Sequence, residues 1–151
     1  MSKAQTYEVS KAQAYLEKIK KYDTLVENKM IQIKKLDDMQ THITATMKED
    51  VVAFSPAQDK LGENVGKFLD LESKLYLEID YYLERIDEAT ALIDKMKDPD
   101  HVNVLYKRYV LYWKFDRIAK KMHCSERNVY NNHDKALQAF EKLLTRKQAG
   151  E

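Results

Sequence analysis

Four side chains at the start of a predicted helix carry hydrogen-bonding groups that match the edges of base pairs. The set comprises Glu126, Arg127, Tyr130 and Asn131. Spacings of one, four and five residues place them on one side of a helix. Arginine can bond guanine through two groups, asparagine can do the same with adenine, and glutamate can accept from cytosine. These four residues are therefore candidates for contacts with bases of double-stranded DNA.

Basic and small polar residues surround this set and could hold phosphate groups. The candidates are Lys114, Arg117, Lys120, Lys121, Ser125, Asn128 and Lys135. Residues 98–151 contain 11 Lys and Arg against 7 Asp and Glu, whereas residues 1–97 contain 15 against 18. Positive charge therefore concentrates where the phosphate candidates lie, although the solvated face of any helix can carry such charge.

Two short helices joined by a sharp turn must position these side chains. Ile118, Ala119 and Met122 have the spacing of one buried helix face. His123, Cys124 and Ser125 fit a turn that joins two helices at a steep angle, and Ser125 is predicted to cap the second helix. Apolar residues then follow one side of the second helix at Val129, Ala136, Leu137, Phe140, Leu143 and Leu144. This pattern predicts a helix-turn-helix.

Residues from about Leu105 to Leu144 resemble the region-4 domain of bacterial sigma factors. The matching residues are Leu105, Arg108, Tyr109, Ile118, Ala119, Val129, Ala136 and Leu137. His123 stands where that family has a turn glycine, and the resemblance thus implies a positive φ there, which histidine tolerates. Asn132 stands where the family has an apolar residue. With residues 55–60 and 98–110 included, the whole chain is similar to the ArpU- and RinA-type regulators of phages and prophages of Gram-positive bacteria.

The resemblance implies a regulator that controls transcription from a phage or mobile element, with activation of late genes. It also implies a second hypothesis, because region-4 domains of sigma factors contact RNA polymerase as well as promoter DNA. In that case the chain acts as an adaptor that binds host RNA polymerase. A purely structural coiled-coil protein is a third hypothesis, and it does not account for residues 115–137.

The first 97 residues carry two long apolar repeats, at residues 15–47 and 61–96. Ser10 with Gln13 predicts a capping box before the first repeat, while Ser55 and Pro56 predict the start of the second after a connector at residues 48–54. We expect an antiparallel hairpin that dimerises as a four-helix bundle. A longer parallel coiled coil between chains, or a hairpin that packs on its own DNA-binding domain, are the alternatives. The predicted dimer seam comprises Ile19, Tyr22, Val26, Ile33, Leu36, Leu75, Ile79, Tyr82, Ile86 and Ile93.

Three glycines and two prolines in 151 residues predict an all-α fold with few loops. We expect two domains, namely the hairpin at residues 1–97 and the helix-turn-helix domain at residues 98–147. Asp98 and Pro99 predict the start of a helix that ends near Tyr112. The aromatic residues between positions 106 and 115 are expected to be core.

Catalytic chemistry has little support in this sequence. His42, His101, His123 and His133 are scattered, and no glycine-rich phosphate loop is present, so we expect no enzymatic activity, no metal and no cofactor. His133 is expected to face phosphate or solvent, and Cys124 is expected to be a small buried residue. No apolar run reaches the length of a membrane span, so we expect a protein of the bacterial host cytoplasm with no membrane partner.

Overall fold

The computed structural model describes the backbone of residues 10–49 and 56–150, and the side chains of residues 10–46 and 62–150. These residues form five α-helices and no strand, which confirms the predicted all-α fold. The helices are α1 (Lys11–Glu49), α2 (Pro56–Asp94), α3 (Pro99–Leu105), α4 (Phe115–Met122) and α5 (Glu126–Ala149), with a π-helical turn at Tyr106–Val110 after α3. The predicted cap Ser55 and residues 50–54 of the predicted connector lie outside the described residues.

Side-chain oxygens fix the starts of α1 and α3. Ser10 Oγ accepts a hydrogen bond from the backbone N–H of Gln13 at 3.1 Å. The side chain of Gln13 donates to Glu17 at 3.2 Å, so one half of the predicted capping box is present. Asp98 Oδ1 accepts from the N–H of Asp100 at 2.9 Å, and proline opens α3 as predicted. Both caps satisfy backbone N–H groups that have no partner within the helix.

Packing divides the chain into two compact units, one formed by residues 1–23 with 84–151 and the other by residues 24–83. The boundary predicted between residues 97 and 98 does not coincide with this division. In the structure that boundary separates the end of α2 from the start of α3, both of which belong to the first unit.

The unit of residues 24–83 is an antiparallel pair of helical segments from α1 and α2. Its core consists of Val26, Ile33, Leu36, Leu75 and Ile79, with Phe68 and Tyr82 packed at the edge. An ion pair between Lys29 and Glu78 joins the same two segments. The hydrogen bond from the Lys29 ammonium holds the pKa of Glu78 below its usual value.

The other unit joins the first turns of α1 and the last turns of α2 to the C-terminal helices. Its main core consists of Ala12, Leu16, Ile19, Ala89, Leu92, Ile93, Met96, Leu105, Tyr109, Ala136, Leu137, Phe140 and Leu144. The rings of Tyr15 and Phe140 lie 5.8 Å apart, which links the start of α1 directly to α5. The C-terminal helices therefore share one hydrophobic core with part of the hairpin.

The structure corrects the role of the predicted dimer seam. All ten seam residues are buried or half-buried within a single chain, with Ile93 at 0% exposure and Ile19 at 2%. A heptad repeat shows that a helix has a packing partner, but the same spacing serves a partner in the same chain or in another. These residues close the hairpin, and a dimer needs a different surface. Dimerisation itself stays a prediction.

Candidate nucleic-acid interface

The turn between α4 and α5 has the predicted geometry. His123 adopts the left-handed conformation with φ 56° and ψ 45°. The N–H groups of His123 and Cys124 donate to the carbonyls of Lys120 and Ala119, at 3.3 and 3.1 Å, which closes the end of α4. Ser125 Oγ then accepts from the N–H of Asn128 at 3.1 Å and caps α5, as predicted. A three-residue turn therefore separates the two helices, and α5 begins at Glu126.

A small hydrophobic cluster sets α4 against α5. It contains Val104, Ile118, Ala119 and Val129, and three of these four side chains are fully buried. Trp113, Phe115, Met122 and Cys124 pack around it and are half-buried. Ala119 is small at the place where the two helices meet, as the sequence pattern predicts. This cluster orients the opposite side of α5 toward solvent.

All four candidates for base contacts are exposed on the first two turns of α5. Arg127 and Asn131 point away from the cluster that contains Val129, because each lies about 160° from Val129 around the helix. Glu126 is exposed as the first residue of α5. Tyr130 is 48% exposed, and its ring centroid lies 4.5 Å from that of Phe115. The structure thus brings the four residues to one surface, where packing fixes the position of one of them.

The seven candidates for phosphate contacts, namely Lys114, Arg117, Lys120, Lys121, Ser125, Asn128 and Lys135, are all exposed. Lys114, Arg117 and Lys121 follow one another at three and four residues, so they share a face at α4. The guanidinium of Arg117 lies 3.9 Å from the centroid of the Trp113 ring, where stacking holds it in place. Three cationic side chains therefore share one exposed face, at Lys114 just before α4 and at Arg117 and Lys121 within it.

His133 is buried, so the expectation that it faces phosphate or solvent was wrong. Its Nε2 lies 2.7 Å from the hydroxyl of Tyr109, and it is 7% exposed. The Phe115 ring meets the imidazole edge-on at 5.1 Å. Burial lowers the pKa of His133, and the negative charge of Asp134 offsets part of this decrease. The neutral imidazole therefore connects α5 to the π-helical turn that precedes the helix-turn-helix.

Tyr112 has a backbone conformation that the sequence does not predict. The expected helix to Tyr112 instead changes to the π-helical turn at Tyr106, and Tyr112 has φ 61°. A bulky side chain is rare in this conformation. Its hydroxyl donates to Asp23 at 2.9 Å. Burial raises the pKa of Tyr112, and the hydrogen bond to Asp23 raises it further. No local sequence signal marks the feature, because Asp23 is 89 residues away.

A cavity of about 540 Å³ opens beside Tyr130. Its lining includes the cations Lys20 and Arg108 and the carboxylates Glu17 and Asp134. Because two positive groups face two negative groups, the cavity adds no net attraction for phosphate. The surface with a positive excess is instead the one formed by the exposed side chains of α4.

No group of three or more His, Cys, Asp or Glu side chains in the described part of the chain could hold a metal ion. Within that same part, no helix has the length and apolar character needed to cross a membrane. Comparisons with protein-family models, curated proteins and solved structures found no match for this chain.

Proposed function

We propose that this chain is a sequence-specific transcription regulator that binds double-stranded DNA as a homodimer, with the first two turns of α5 in the major groove. The similarity to phage regulators extends the proposal to late genes of a phage or mobile element, with activation as the direction of control. No catalytic step and no cofactor form part of this proposal.

The observation that carries the proposal is the three-residue turn at residues 123–125. It ends one helix and caps the next, so that Glu126, Arg127 and Asn131 lie exposed above a buried cluster. In helix-turn-helix proteins the N-terminal residues of the second helix contact base edges. The cationic face of α4 then lies where the first helix of such a motif meets the DNA backbone.

Roles for individual residues follow from hydrogen-bonding chemistry. Arg127 is assigned to guanine, Asn131 to adenine, and Glu126 to the amino group of cytosine. Tyr130 adds a ring that Phe115 holds in a fixed position. Lys121 is assigned to a phosphate group. Phosphate contacts of this kind position the protein on DNA without reading its sequence.

The test compares binding to specific DNA and to random DNA over a range of salt concentrations. Arg127→Ala should lose about 1 to 3 kcal/mol on the specific site and relax one base position. Lys121→Ala should weaken binding to both DNAs alike and reduce the salt slope by about one. DNA that adjoins the protein's own coding sequence supplies the candidate sites.

Lys142→Ala is the matched control. Lys142 is exposed on the same helix, and its α-carbon lies about 22 Å along the axis from that of Arg127. The substitution removes one positive charge, yet it should leave the sequence preference and the salt slope unchanged. Equal losses on specific and random DNA for both Arg127→Ala and Lys121→Ala would refute the assignment of base contacts.

Dimeric binding predicts two half-sites separated by about 10 base pairs or a multiple of that distance. Deletion of one half-site should therefore reduce affinity more than any single base change. Recovery of RNA polymerase with the purified protein, in the absence of any DNA affinity, would replace the proposal with the adaptor hypothesis.

A further inference from the structure

The segment between α3 and α4 folds back on itself through an unusual backbone. A π-helical turn at Tyr106–Val110 is followed by Tyr112, whose φ is 61°. The N–H of Trp113 donates to the carbonyl of Lys107 at 2.9 Å, and the guanidinium of Arg108 donates to the carbonyl of Trp113 at 3.1 Å. Both π-helical turns and strained backbone conformations occur often at functional sites. In this chain they hold the backbone of Trp113 against that of Lys107.

The fold-back brings two cations to one aromatic ring. The ammonium of Lys107 lies 5.8 Å from the centroid of the Trp113 ring, and the guanidinium of Arg117 lies 3.9 Å from it. Both distances are within the range of cation–π attraction. Because both run to the same centroid, the two charged groups lie at most about 10 Å apart. We call Lys107, Trp113 and Arg117 the tryptophan patch.

Neither cation of the tryptophan patch is neutralised within the described part of the chain. Lys107 donates to the neutral side-chain amide of Asn103, at 3.1 Å. The ion pairs among the described side chains all join other residues. Asp116 precedes Arg117 in the chain, but it lines a groove together with Lys120. Because two like charges held this close repel each other, the arrangement favours an anion as the partner of the patch.

The backbone of duplex DNA is an anion that fits this position. One strand carries a phosphate charge about every 3.4 Å along the helix axis, so a span of about 10 Å covers about three phosphates of that strand. Arg117 shares its face with Lys114 and Lys121, so the tryptophan patch continues the surface assigned above to DNA phosphates. Lys107 extends this surface to a segment that precedes the helix-turn-helix.

We propose that the tryptophan patch binds phosphate groups of the DNA backbone, with Lys107 as a phosphate contact outside the helix-turn-helix. The inference rests on the DNA binding proposed above, and it adds a contact to those assigned there. The Trp113 ring holds both cations in position before DNA arrives, so less side-chain freedom is lost on binding. The strained backbone at Tyr112 has a role in this arrangement, because it belongs to the fold-back that places the ring.

The salt dependence of binding to a random-sequence duplex tests this contact. Lys107→Gln removes the charge but keeps an amide that can donate to Asn103. It should reduce the salt slope by about 0.9, so a rise from about 50 to about 200 mM salt should cost the natural chain about 3.5-fold more affinity than the variant. Lys107→Arg should keep the slope of the natural chain. Lys142→Gln is the matched control, because it removes the same charge from an exposed position on α5, and it should leave the slope unchanged.

The fluorescence of Trp113 gives a second measurement, since this residue is the single tryptophan of the chain. Iodide is an anionic quencher that the two cations attract, so it should quench Trp113 more strongly in the free natural chain than in free Lys107→Gln. Neutral acrylamide should quench both proteins alike. Bound duplex should protect Trp113 of the natural chain from iodide, because phosphate groups then occupy the patch.

The outcomes separate this contact from the proposed function. The proposal is overturned by an unchanged salt slope in Lys107→Gln, or by undiminished iodide quenching of Trp113 in the complex with DNA. Loss of RNA polymerase binding by Lys107→Gln, with an unchanged salt slope, would assign the patch to a protein partner and overturn the proposal as well. Equal affinity for specific and random duplexes, with the slope effect present, would refute sequence-specific binding only. Sequence-specific binding without the slope effect would refute the contact at Lys107 only, and a chain that binds no duplex would refute both.

Discussion

Replacement of Tyr109 by phenylalanine should destabilise the protein, because it removes one partner of a buried hydrogen bond. The Tyr109 hydroxyl lies 2.7 Å from Nε2 of His133, and both residues are buried. The other ring nitrogen of His133 lies 3.7 Å from the Asp134 carboxylate, which favours the tautomer with its proton on Nδ1. Nε2 then accepts from the tyrosine hydroxyl. In Tyr109→Phe this acceptor stays buried without its donor.

The expected magnitude follows from the cost of an unsatisfied buried polar group. That cost is about 1 to 3 kcal/mol. In a chain of this length, 1 kcal/mol corresponds to roughly 3 °C in Tm, so Tyr109→Phe should lower Tm by about 3 to 9 °C. His133→Phe should also destabilise, since it leaves the Tyr109 hydroxyl without an acceptor. The double variant should cost less than the sum of the two, because both polar groups are then absent.

Urea denaturation followed by circular dichroism measures these free energies of unfolding. A double-mutant cycle over Tyr109→Phe and His133→Phe should give a coupling free energy of about 1 kcal/mol or more. Tyr106→Phe is the matched control, since Tyr106 belongs to the same π-helical turn and is only half-buried. A coupling free energy near zero, or a Tyr109→Phe variant as stable as the natural chain, would contradict the assigned hydrogen bond.

Three further predictions concern stability. Burial holds the pKa of His133 below its unfolded value of about 6.5, so as pH falls the unfolded chain protonates this imidazole before the folded chain does. The free energy of unfolding should therefore fall as pH drops below about 6.5, and His133→Phe should flatten this part of the curve of stability against pH. His123→Gly should stabilise the turn by up to about 1 kcal/mol and His123→Val should destabilise it, since φ at this position is 56°; equal Tm values for both would contradict the assigned strain. A fragment of residues 98–151 should show little helical circular dichroism, because its apolar residues share a core with residues 12–19 and 89–96; a cooperative melt of that fragment alone would be the opposite result.

Local chemistry made the helix-turn-helix predictable from sequence. The cap at Ser125, the positive φ of His123 and the small Ala119 each depend on residues within one turn of the chain. The apolar spacing of α5 also identified its buried side correctly, from Val129 to Leu144. Exposure of Arg127 and Asn131 follows from the same spacing, since residues on the other side of that helix must face solvent. Glu126 shares the face of Val129 and is exposed because it is the first residue of the helix.

Long-range pairing accounts for what the sequence did not reveal. His133 can be buried because the hydroxyl of Tyr109, which lies 24 residues earlier, forms a hydrogen bond with its imidazole. The hydroxyl of the left-handed Tyr112 bonds to Asp23, 89 residues earlier, and the change to a π-helical turn at Tyr106 has no composition signal. The heptad repeats gave the correct buried positions, but a periodic pattern does not specify which chain supplies the facing helix.

The joining of residues 12–19 to residues 136–144 in one core has a consequence for biosynthesis. Leu16 and Phe140, both fully buried, are separated by more than 120 residues. At about 5 to 20 residues per second, a ribosome needs roughly 6 to 25 s to make the intervening chain. During that interval the apolar side of nascent α1 lacks the helix that covers it, so chaperones that hold exposed apolar segments have time to act before this core closes.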